Sequence, residues 1–372
     1  MSLSERWQLQ LRQLDEESRL RSMALPAGID FSSNDYLGYA LRNGPSSDLS
    51  RSGTASRLLR GHHAVWEQVE AKLADWHGAE AALMFTSGYA ANEGLLSTIL
   101  AAGDTIFSDQ FNHASIIDGL RLSRAERVVF PHNDVNELES LMRERRPARG
   151  AHQDWFVVTE SLFGMEANQA PLRDLAELAE RYQAHLVVDE AHATGCFGAH
   201  GGGLVDALGL RQRVLATVHT GGKALALPGA YIVGTRLLRD ILINRCRHFV
   251  FTTALPPQVG AWWLDMLERI STDEPTRAGL HDRASLFRKQ ASLHRLSLGG
   301  ADYLATIILG TDADAMKAAR SLQQAGYDIR AIRPPTVPPG TARLRISIHA
   351  DHDAPVLLDL VNLLATLMRS SP

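Results

Sequence analysis

The stretch Val214–Gly234, VLATVHTGGKALALPGAYIVG, sets a single lysine, Lys223, between two apolar runs. Val214–His219 and Ala230–Gly234 have the length and apolar content of buried strands. Between them, His219-Thr220-Gly221-Gly222 reads as a polar turn. A lysine within apolar sequence is rare unless it is paired or chemically used. Loss of water lowers the amine's pKa, which suits an amine that condenses with a carbonyl. Adjacent glycines let backbone and hydroxyl groups come close to an anion. Taken alone, however, the pattern reads more economically as a loop lysine in water.

A second stretch upstream, His185–Gly195 (HLVVDEAHATG), reverses that weighing. Its apolar strand ends in Asp189, Glu190 and His192. Open α/β sheets bind ligands beyond the carboxyl ends of their strands. A strand-end aspartate and a lone downstream lysine are the pair that pyridoxal phosphate chemistry requires. The amine carries the aldehyde, and the carboxylate keeps the ring nitrogen protonated so that the ring accepts electrons. His192, three residues beyond Asp189, is within reach of the ring hydroxyl.

Outward from these two stretches, strands and helices alternate. Strands are expected at Ala81–Phe85, Thr105–Ser108, Arg127–Phe130, Trp155–Glu160 and His185–Asp189, with helices at Tyr89–Leu100, Ala114–Leu122, Val135–Arg143 and Leu172–Tyr182. A basic linker, Arg145–Gly150, interrupts them. The alternation implies an α/β fold with a doubly wound, mostly parallel sheet covered on both faces. Its binding edge gathers Ser87, Asp109 to His113, Glu160, Asp189 and Lys223. After Ala81–Phe85, the turn Thr86-Ser87-Gly88 opens a helix; that is either a cradle for one phosphate or an ordinary N-cap. It lacks the G-x-G-x-x-G dinucleotide pattern. His113, just after a strand, either stacks on a flat ring or simply starts a helix.

Nearer the N-terminus, Leu3, Trp7, Leu11 and Leu14 recur at helical spacing over residues 3–20, an amphipathic helix that must pack on something. Asn34 and Asp35, between aromatics in IDFSSNDYLG, line a cleft or cap a turn. Arg42–Gly61 reads as a loop whose Arg51, Arg57 and Arg60 face solvent or an anion, and His63–Trp76 as a helix burying Val65, Val69 and Leu73. Helices follow at Gln258–Ile270 and His281–Leu296. From Tyr303 the pattern restarts, with strands at Tyr303–Leu309, Tyr327–Ile332 and Arg343–Ile348 and helices at Ala313–Gln324 and Pro355–Met368, giving a smaller α/β C-terminal domain. Its loop 331–347, AIRPPTVPPGTARLRIS, presents Arg333, Arg343 and Arg345, suited to bidentate carboxylate binding, against a simpler reading as surface arginines. The expected division is an N-terminal segment, 1–40, a large cofactor-binding domain, 41–265, and the C-terminal domain, 266–372.

Composition narrows the function classes. The 372 residues are 45% hydrophobic and 22% charged, with a formal net charge of −4, so no general grip on nucleic acid is expected. Two cysteines, Cys196 and Cys246, are too few for a disulfide framework and favour a reducing cytoplasm. Neither a membrane-length apolar run nor a signal-like N-terminus is present. No metal is called for. The run Asp189-Glu190-Ala191-His192 spells a helicase-like box, but the G-x-x-x-x-G-K-[ST] partner of such ATPases is missing: Ala224 follows Lys223 and Thr217 holds the first-glycine position.

Nearly end to end, the chain resembles the α-oxoamine synthase family of fold-type I pyridoxal phosphate enzymes, which have the aspartate aminotransferase-like fold. The resemblance rests on SSNDYLG at 32–38, SGYAAN at 87–92, NHASIIDG at 112–119, HNDVNELE at 132–139 and VVTESLFGME at 157–166. It continues through VVDEAHATG at 187–195, HTGGK at 219–223, FTTALPP at 251–257 and IRPPTVPPGTARLR at 332–345. It implies that Lys223 holds the cofactor, Asp189 faces the pyridine nitrogen, His192 the ring hydroxyl, and His113 stacks on the ring. Phosphate contacts would come from Ser87, Gly88, Tyr89 and Thr220, and from Thr252 and Thr253 of a neighbouring subunit, hence a homodimer with shared active sites. Arg345 would hold the amino-acid carboxylate and Asn34 would line the substrate site, with Arg21 and Arg333 near the acyl channel. The IRPPTVP loop points to the biotin-pathway branch: decarboxylative condensation of L-alanine with a pimeloyl thioester on coenzyme A or an acyl-carrier protein, with the freed Lys223 amine as base.

Sister activities use glycine or serine with other acyl thioesters, and a non-catalytic pyridoxal-binding module is a further alternative. Three departures from the family pattern stand out: Gly164 replaces a serine near the ring, Trp66 replaces a histidine in the first helix, and the segment between Gly38 and Gly53 is short.

Overall fold

A computed structural model of the chain describes residues 1–146, 150 and 153–369; part of the basic linker, 147–149, lies outside the described residues. These residues group into two compact units: Leu37–Phe163 with Gln169–Arg277, and Met1–Tyr36 with Gly164–Asn168 and Ala278–Pro372. This grouping differs from the expected division at 40 and 265. The N-terminal segment pairs, through Ile29–Asp30, with Tyr327–Asp328 far down the chain, and the helix Pro257–Thr272 belongs to the larger unit.

In chain order the elements are α1 (Leu3–Glu16), β1 (Ile29–Asp30), α2 (Ala64–Trp76), β2 (Ala81–Phe85), α3 (Gly88–Ile99), β3 (Thr105–Asp109), α4 (Ala114–Leu122), β4 (Glu126–Phe130), α5 (Val135–Arg145) and β5 (Trp155–Glu160). Then come α6 (Leu172–Arg181), β6 (Ala184–Asp189), α7 (Leu204–Ala207), β7 (Ala216–Thr220), β8 (Ala230–Gly234), α8 (Arg236–Arg245), α9 (Arg247–Val250), α10 (Pro257–Thr272) and α11 (Glu274–Leu293). The chain closes with β9 (Leu304–Gly310), α12 (Asp312–Gln324), β10 (Tyr327–Asp328), β11 (Arg330–Ile332), β12 (Ala342–Ser347) and α13 (Ala354–Arg369).

The larger unit is built on a seven-stranded sheet in the order β2-β8-β7-β6-β5-β3-β4. Only β8 runs antiparallel to its neighbours; the other pairings are parallel. This is the doubly wound, mostly parallel sheet that the alternation implies. Every residue of β5 is buried, which is why WFVVTE reads as a continuous apolar run rather than an alternating one. At the sheet edge, β4 turns Val128 and Phe130 inward and leaves Glu126, Arg127 and Val129 exposed. One face of the sheet packs Phe85, Ile106, Val158, Val187 and Val218 against Leu95 of α3 and Ile116 of α4.

The helix α8 was not expected: its arginines and aspartate hide a two-residue buried stripe, Leu238 and Leu242, spaced by one turn. Pro256 and Pro257 fix the start of α10, where a missing N–H costs nothing.

In the smaller unit, β11-β12-β9 form an antiparallel sheet, and β1 and β10 a separate parallel pair. The single strand expected at Tyr327–Ile332 is therefore two. The chain leaves one ladder for the other at Ile329, whose side chain is fully buried. The helix α1 stops at Glu16 rather than 20, because Ser18 adopts a positive φ of 57°. None of its residues is buried. Among the described residues, no helix is long and apolar enough to cross a membrane.

Candidate active site

Adjacent parallel strands bring the two key segments together. In the β6–β7 ladder Asp189 pairs with Val218, so the last residue of β6 lies two positions from Thr220, where β7 ends. The strand expected to end at His219 thus runs on to Thr220, which the sequence reads as turn. Lys223 follows in a tight turn and is half-buried, against the solvent-facing reading. Ala226 N–H closes that turn onto Lys223 O at 2.9 Å, and Leu227 N–H reaches Gly221 O at 2.8 Å. Gly221 is required here, because a Cβ would come within 2.5 Å of the Trp263 ring.

The Asp189 side chain is buried and fully directed. Its Oδ2 accepts from Asn92 Nδ2 at 2.7 Å and its Oδ1 from Ala191 N–H at 2.8 Å. The other hydrogen of Asn92 Nδ2 goes to Ser115 Oγ at 3.0 Å. That hydroxyl in turn donates to His113 Nδ1 at 2.8 Å, where Ser115 N–H also donates at 3.2 Å. With Nδ1 accepting twice, the His113 proton sits on Nε2.

His113 is exposed, yet the surrounding protein excludes enough water to hold its pKa below the ordinary histidine value. Asp189 opposes that shift and Lys223 adds to it. His113 therefore lies within electrostatic reach of both, and the three converge at the carboxyl end of the sheet.

A cradle opens beside them. Ser87 caps α3, accepting from Ala90 N–H at 3.2 Å. A Cβ added to Gly88 would lie 3.5 Å from Thr220 Cβ and 3.6 Å from its Oγ1, so the start of α3 and the Thr220 hydroxyl face one another with only glycine between. Tyr89 points elsewhere, its hydroxyl bonded to Asp118. His192 is buried in the turn after Asp189. Glu190, the next acid in the helicase-like run, has a structural role. It is fully buried, its carboxylate accepts from Leu204 and Val205 N–H at 2.8 Å each, and burial pushes its pKa up to about 7. Thr252 and Thr253 line a small cavity with Arg57, Trp66 and His248. Arg57 is no anion ligand: it pairs with Glu70 at 2.9 and 3.1 Å.

The other expected contacts belong to the smaller unit. Arg345 on β12 is buried, and its NH2 donates to Asn34 Oδ1 at 2.8 Å and Tyr36 Oη at 3.0 Å. Among the described residues its Nε has no partner. Arg343 is tied to Met165 O at 3.1 Å and Glu166 at 3.3 Å, and so serves structure. Arg21 reaches Thr336 Oγ1 at 3.3 Å, and Arg333 bonds Ser18 O. Burial and the neighbouring Arg21 lower the Arg333 pKa.

A buried carboxylate fixed by two donors, a half-buried lysine, a histidine ring and a glycine-lined helix start fit a flat, phosphorylated aldehyde with a basic ring nitrogen. The chain matches the aminotransferase class I and II family over residues 26–364. It is 45% identical over 354 residues to 8-amino-7-oxononanoate synthase of Anaeromyxobacter dehalogenans (strain 2CP-1), covering 92% of this chain and 87% of that one. The chain belongs to the 8-amino-7-oxononanoate synthase family.

A member from Chlorobaculum parvum is 39% identical over 355 residues, covering 92% and 89% of the two chains. The solved 8-amino-7-oxononanoate synthase of Francisella tularensis superposes with a TM-score of 0.77 at 25% identity, over 92% of this chain and 98% of that one. Serine palmitoyltransferase of Sphingomonas wittichii gives 0.84 at 28%, over 91% and 87%. A high-resolution SPT structure with PLP gives 0.89 at 25%, over 100% and 99%. The chain is a pyridoxal phosphate enzyme of biotin biosynthesis catalysing a condensation, with the fold-type I architecture.

For a member of the 8-amino-7-oxononanoate synthase family, one site residue escaped the sequence reading: Asn92, which fixes both Asp189 and the Ser115–His113 pair. The available signal was a lone amide in a helix, GYAANEGLLSTI, whose neighbours Ala91, Leu95 and Leu96 are core residues.

Proposed function

We propose that the chain condenses L-alanine with a pimeloyl thioester, carried on coenzyme A or an acyl-carrier protein, giving 8-amino-7-oxononanoate, carbon dioxide and the free thiol. The observation that carries this reading is the convergence of Lys223, Asp189 and His113 at adjacent strand ends, in a chain of this family. Lys223 Nζ would hold the cofactor aldehyde, Asp189 would serve the pyridine nitrogen, His113 the ring face and His192 the ring hydroxyl. Ser87, Gly88, Tyr89 and Thr220 cradle the phosphate; of these Tyr89 has least support, its hydroxyl being engaged by Asp118.

Pyridoxal phosphate supplies an electron sink for a carbanion at the amino acid's α-carbon. The Lys223 Nζ amine would take the α-proton and later return one. Arg345 offers its unpartnered Nε–H to the amino-acid carboxylate, with Asn34 beside it. Arg21 and Arg333 serve the far carboxylate of the acyl chain.

The active assembly is a cytoplasmic homodimer in which Thr252 and Thr253 reach the neighbour's phosphate. The exposed α1, with Leu3, Trp7, Leu11 and Leu14 all open, supports an interface of that kind, because a fourteen-residue helix with no buried face gains little stability alone.

Borohydride reduction of the yellow protein should fix the chromophore to the peptide containing Lys223, and Lys223→Ala should abolish turnover; full activity of that variant would remove the lysine from the reaction. A thiol-release assay pairing alanine, glycine and serine with pimeloyl, acetyl and long-chain thioesters identifies the substrates. Preference for glycine or serine would reassign the chain to a sister activity. Sedimentation should give about twice the 40.8 kDa chain mass.

A further inference from the structure

On the sheet face opposite the α3 packing, β7 carries a buried polar chain that the reaction above does not use. Arg211 NH1 donates to Thr217 Oγ1 at 2.9 Å, Thr217 Oγ1 lies 2.8 Å from His219 Nε2, and His219 Nδ1 lies 2.8 Å from Thr194 Oγ1. Thr194 Oγ1 in turn reaches Glu190 O at 2.7 Å.

The direction of every proton follows from the two ends and from the buried ring between them. A guanidinium only donates and a carbonyl only accepts. Thr194 must therefore give its hydroxyl hydrogen to Glu190 O and accept from His219 Nδ1–H. Burial beside His77 and Arg211 keeps His219 neutral, with its proton on Nδ1. Its Nε2 then accepts from Thr217, whose oxygen accepts from Arg211. The His219 ring is 1% exposed, stacks on Tyr231 at 4.8 Å and 7°, and lies 4.3 Å from His77.

The position of this chain in the fold gives it a role. The β6–β7 ladder closes with Glu190 N–H on Val218 O at 2.7 Å. Beyond it the segment bearing His192 curls into a helical turn, with Ala193 and Thr194 N–H both on Glu190 O at 2.9 Å. The Thr194–His219 bond continues the tie past the end of the ladder, and His219 stands one residue before Thr220 and four before Lys223.

We propose that His219 is a positioning residue: by donating to Thr194 it holds the Asp189–His192 turn in register with the Thr220–Lys223 turn, and so sets how both grip the cofactor. The inference rests on the cofactor reading of Lys223 and Asp189 given above.

The test uses near-isosteric pairs in the full-length protein. His219→Asn keeps an N–H toward Thr194 and His219→Leu does not; Thr194→Ser keeps the hydroxyl and Thr194→Val does not. Pyridoxal phosphate affinity, by fluorescence quenching, should weaken about tenfold in the Leu and Val variants, the order of one buried hydrogen bond. The pH midpoint of the bound chromophore's visible band should move in the same two variants. The Asn and Ser variants should stay within about threefold of the parent, and His219→Leu with Thr194→Val should be no worse than either alone. Equal affinity and spectra across each pair, with only the melting temperature changed, would reduce His219 to a packing residue. Should the Leu variant not fold, the Thr194 pair decides alone. Failure of the parent protein to bind the cofactor at Lys223 would instead overturn the underlying site.

Discussion

Two buried charges, one in each unit, are treated in opposite ways. Asp189 in the larger unit has both oxygens bonded, to Asn92 and to Ala191 N–H. Arg345 in the smaller unit spends one terminal nitrogen on Asn34 and Tyr36 and leaves its Nε without a partner among the described residues. A buried donor without a partner costs free energy that folding would ordinarily avoid. Such a cost is tolerated where a ligand visits. On the proposed roles, the resident cofactor meets a completed network and the visiting amino acid a network left one bond short.

The largest effect should come from breaking the completed side. Asp189→Asn keeps the shape, removes the charge and sets two amide donors against each other at Asn92. Turnover should fall about a thousandfold, the order of losing a preorganised charge at a reacting centre. Activity within tenfold of the parent would show that the ring nitrogen does not depend on this acid. Asp189→Ala should also lower stability by about 1–3 kcal/mol in urea unfolding of the cofactor-free protein, since two buried donors lose their acceptor.

Breaking the open side should act differently. Arg345→Lys keeps the charge but loses the fork, so the amino-acid KM should rise about a hundredfold with a smaller change in kcat. Arg345→Met should leave stability within about 1 kcal/mol of the parent, because it removes a charge that was incompletely paired. If Arg345→Met instead unfolds the protein, the contrast between the two charges is wrong.

A change behind the completed network comes next. Asn92→Leu fills the same space but frees Asp189 and Ser115 together. Cofactor affinity should drop about tenfold to a hundredfold, with His113 less well oriented. An unchanged affinity would assign Asn92 to packing.

How much of this was open to reading from the chain follows the same contrast. Lys223 and Asp189 stood out because a charge beside an apolar run is conspicuous, and Arg345 because three arginines share one proline-rich loop. Asn92 did not, since one amide on a helix is usually solvated and its partner lies 97 positions away. Arg57 stayed undecided for the reverse reason: among glycines and serines it could face solvent or an anion, while its partner, Glu70, lay in the next helix. His219 read both as the last residue of a strand and as the first of a turn, because a histidine before Thr-Gly-Gly suits either. Only pairing with Tyr231 across the sheet reveals it as buried strand. The break at Ile329 is equally silent, since a strand that changes ladders keeps its apolar pattern.

The smallest effect sharpens the comparison by asking about groups that must stay uncharged. His77 and His219 lie buried beside Tyr231, and His77 Nε2 is 2.9 Å from the Tyr231 hydroxyl. Burial, helped by Arg211, lowers the His77 pKa to about 3, and burial with His77 and Arg211 lowers that of His219 well below the ordinary value. Below pH about 6.5 the unfolded chain binds a proton at each ring that the folded protein refuses. Their contribution is therefore complete above that pH and is lost as pH falls from 6.5 toward 3, by about 1.4 kcal/mol per pH unit for each histidine. His77→Gln offers Tyr231 an amide in place of the ring and cannot take up the proton. Urea unfolding at pH 4.5, 5.5 and 6.5 should then show a slope of stability against pH shallower by about 1.4 kcal/mol per unit. An identical slope in parent and variant would mean that His77 already meets solvent in the folded state, and that the polar face of β7 is open where Asp189's network is closed.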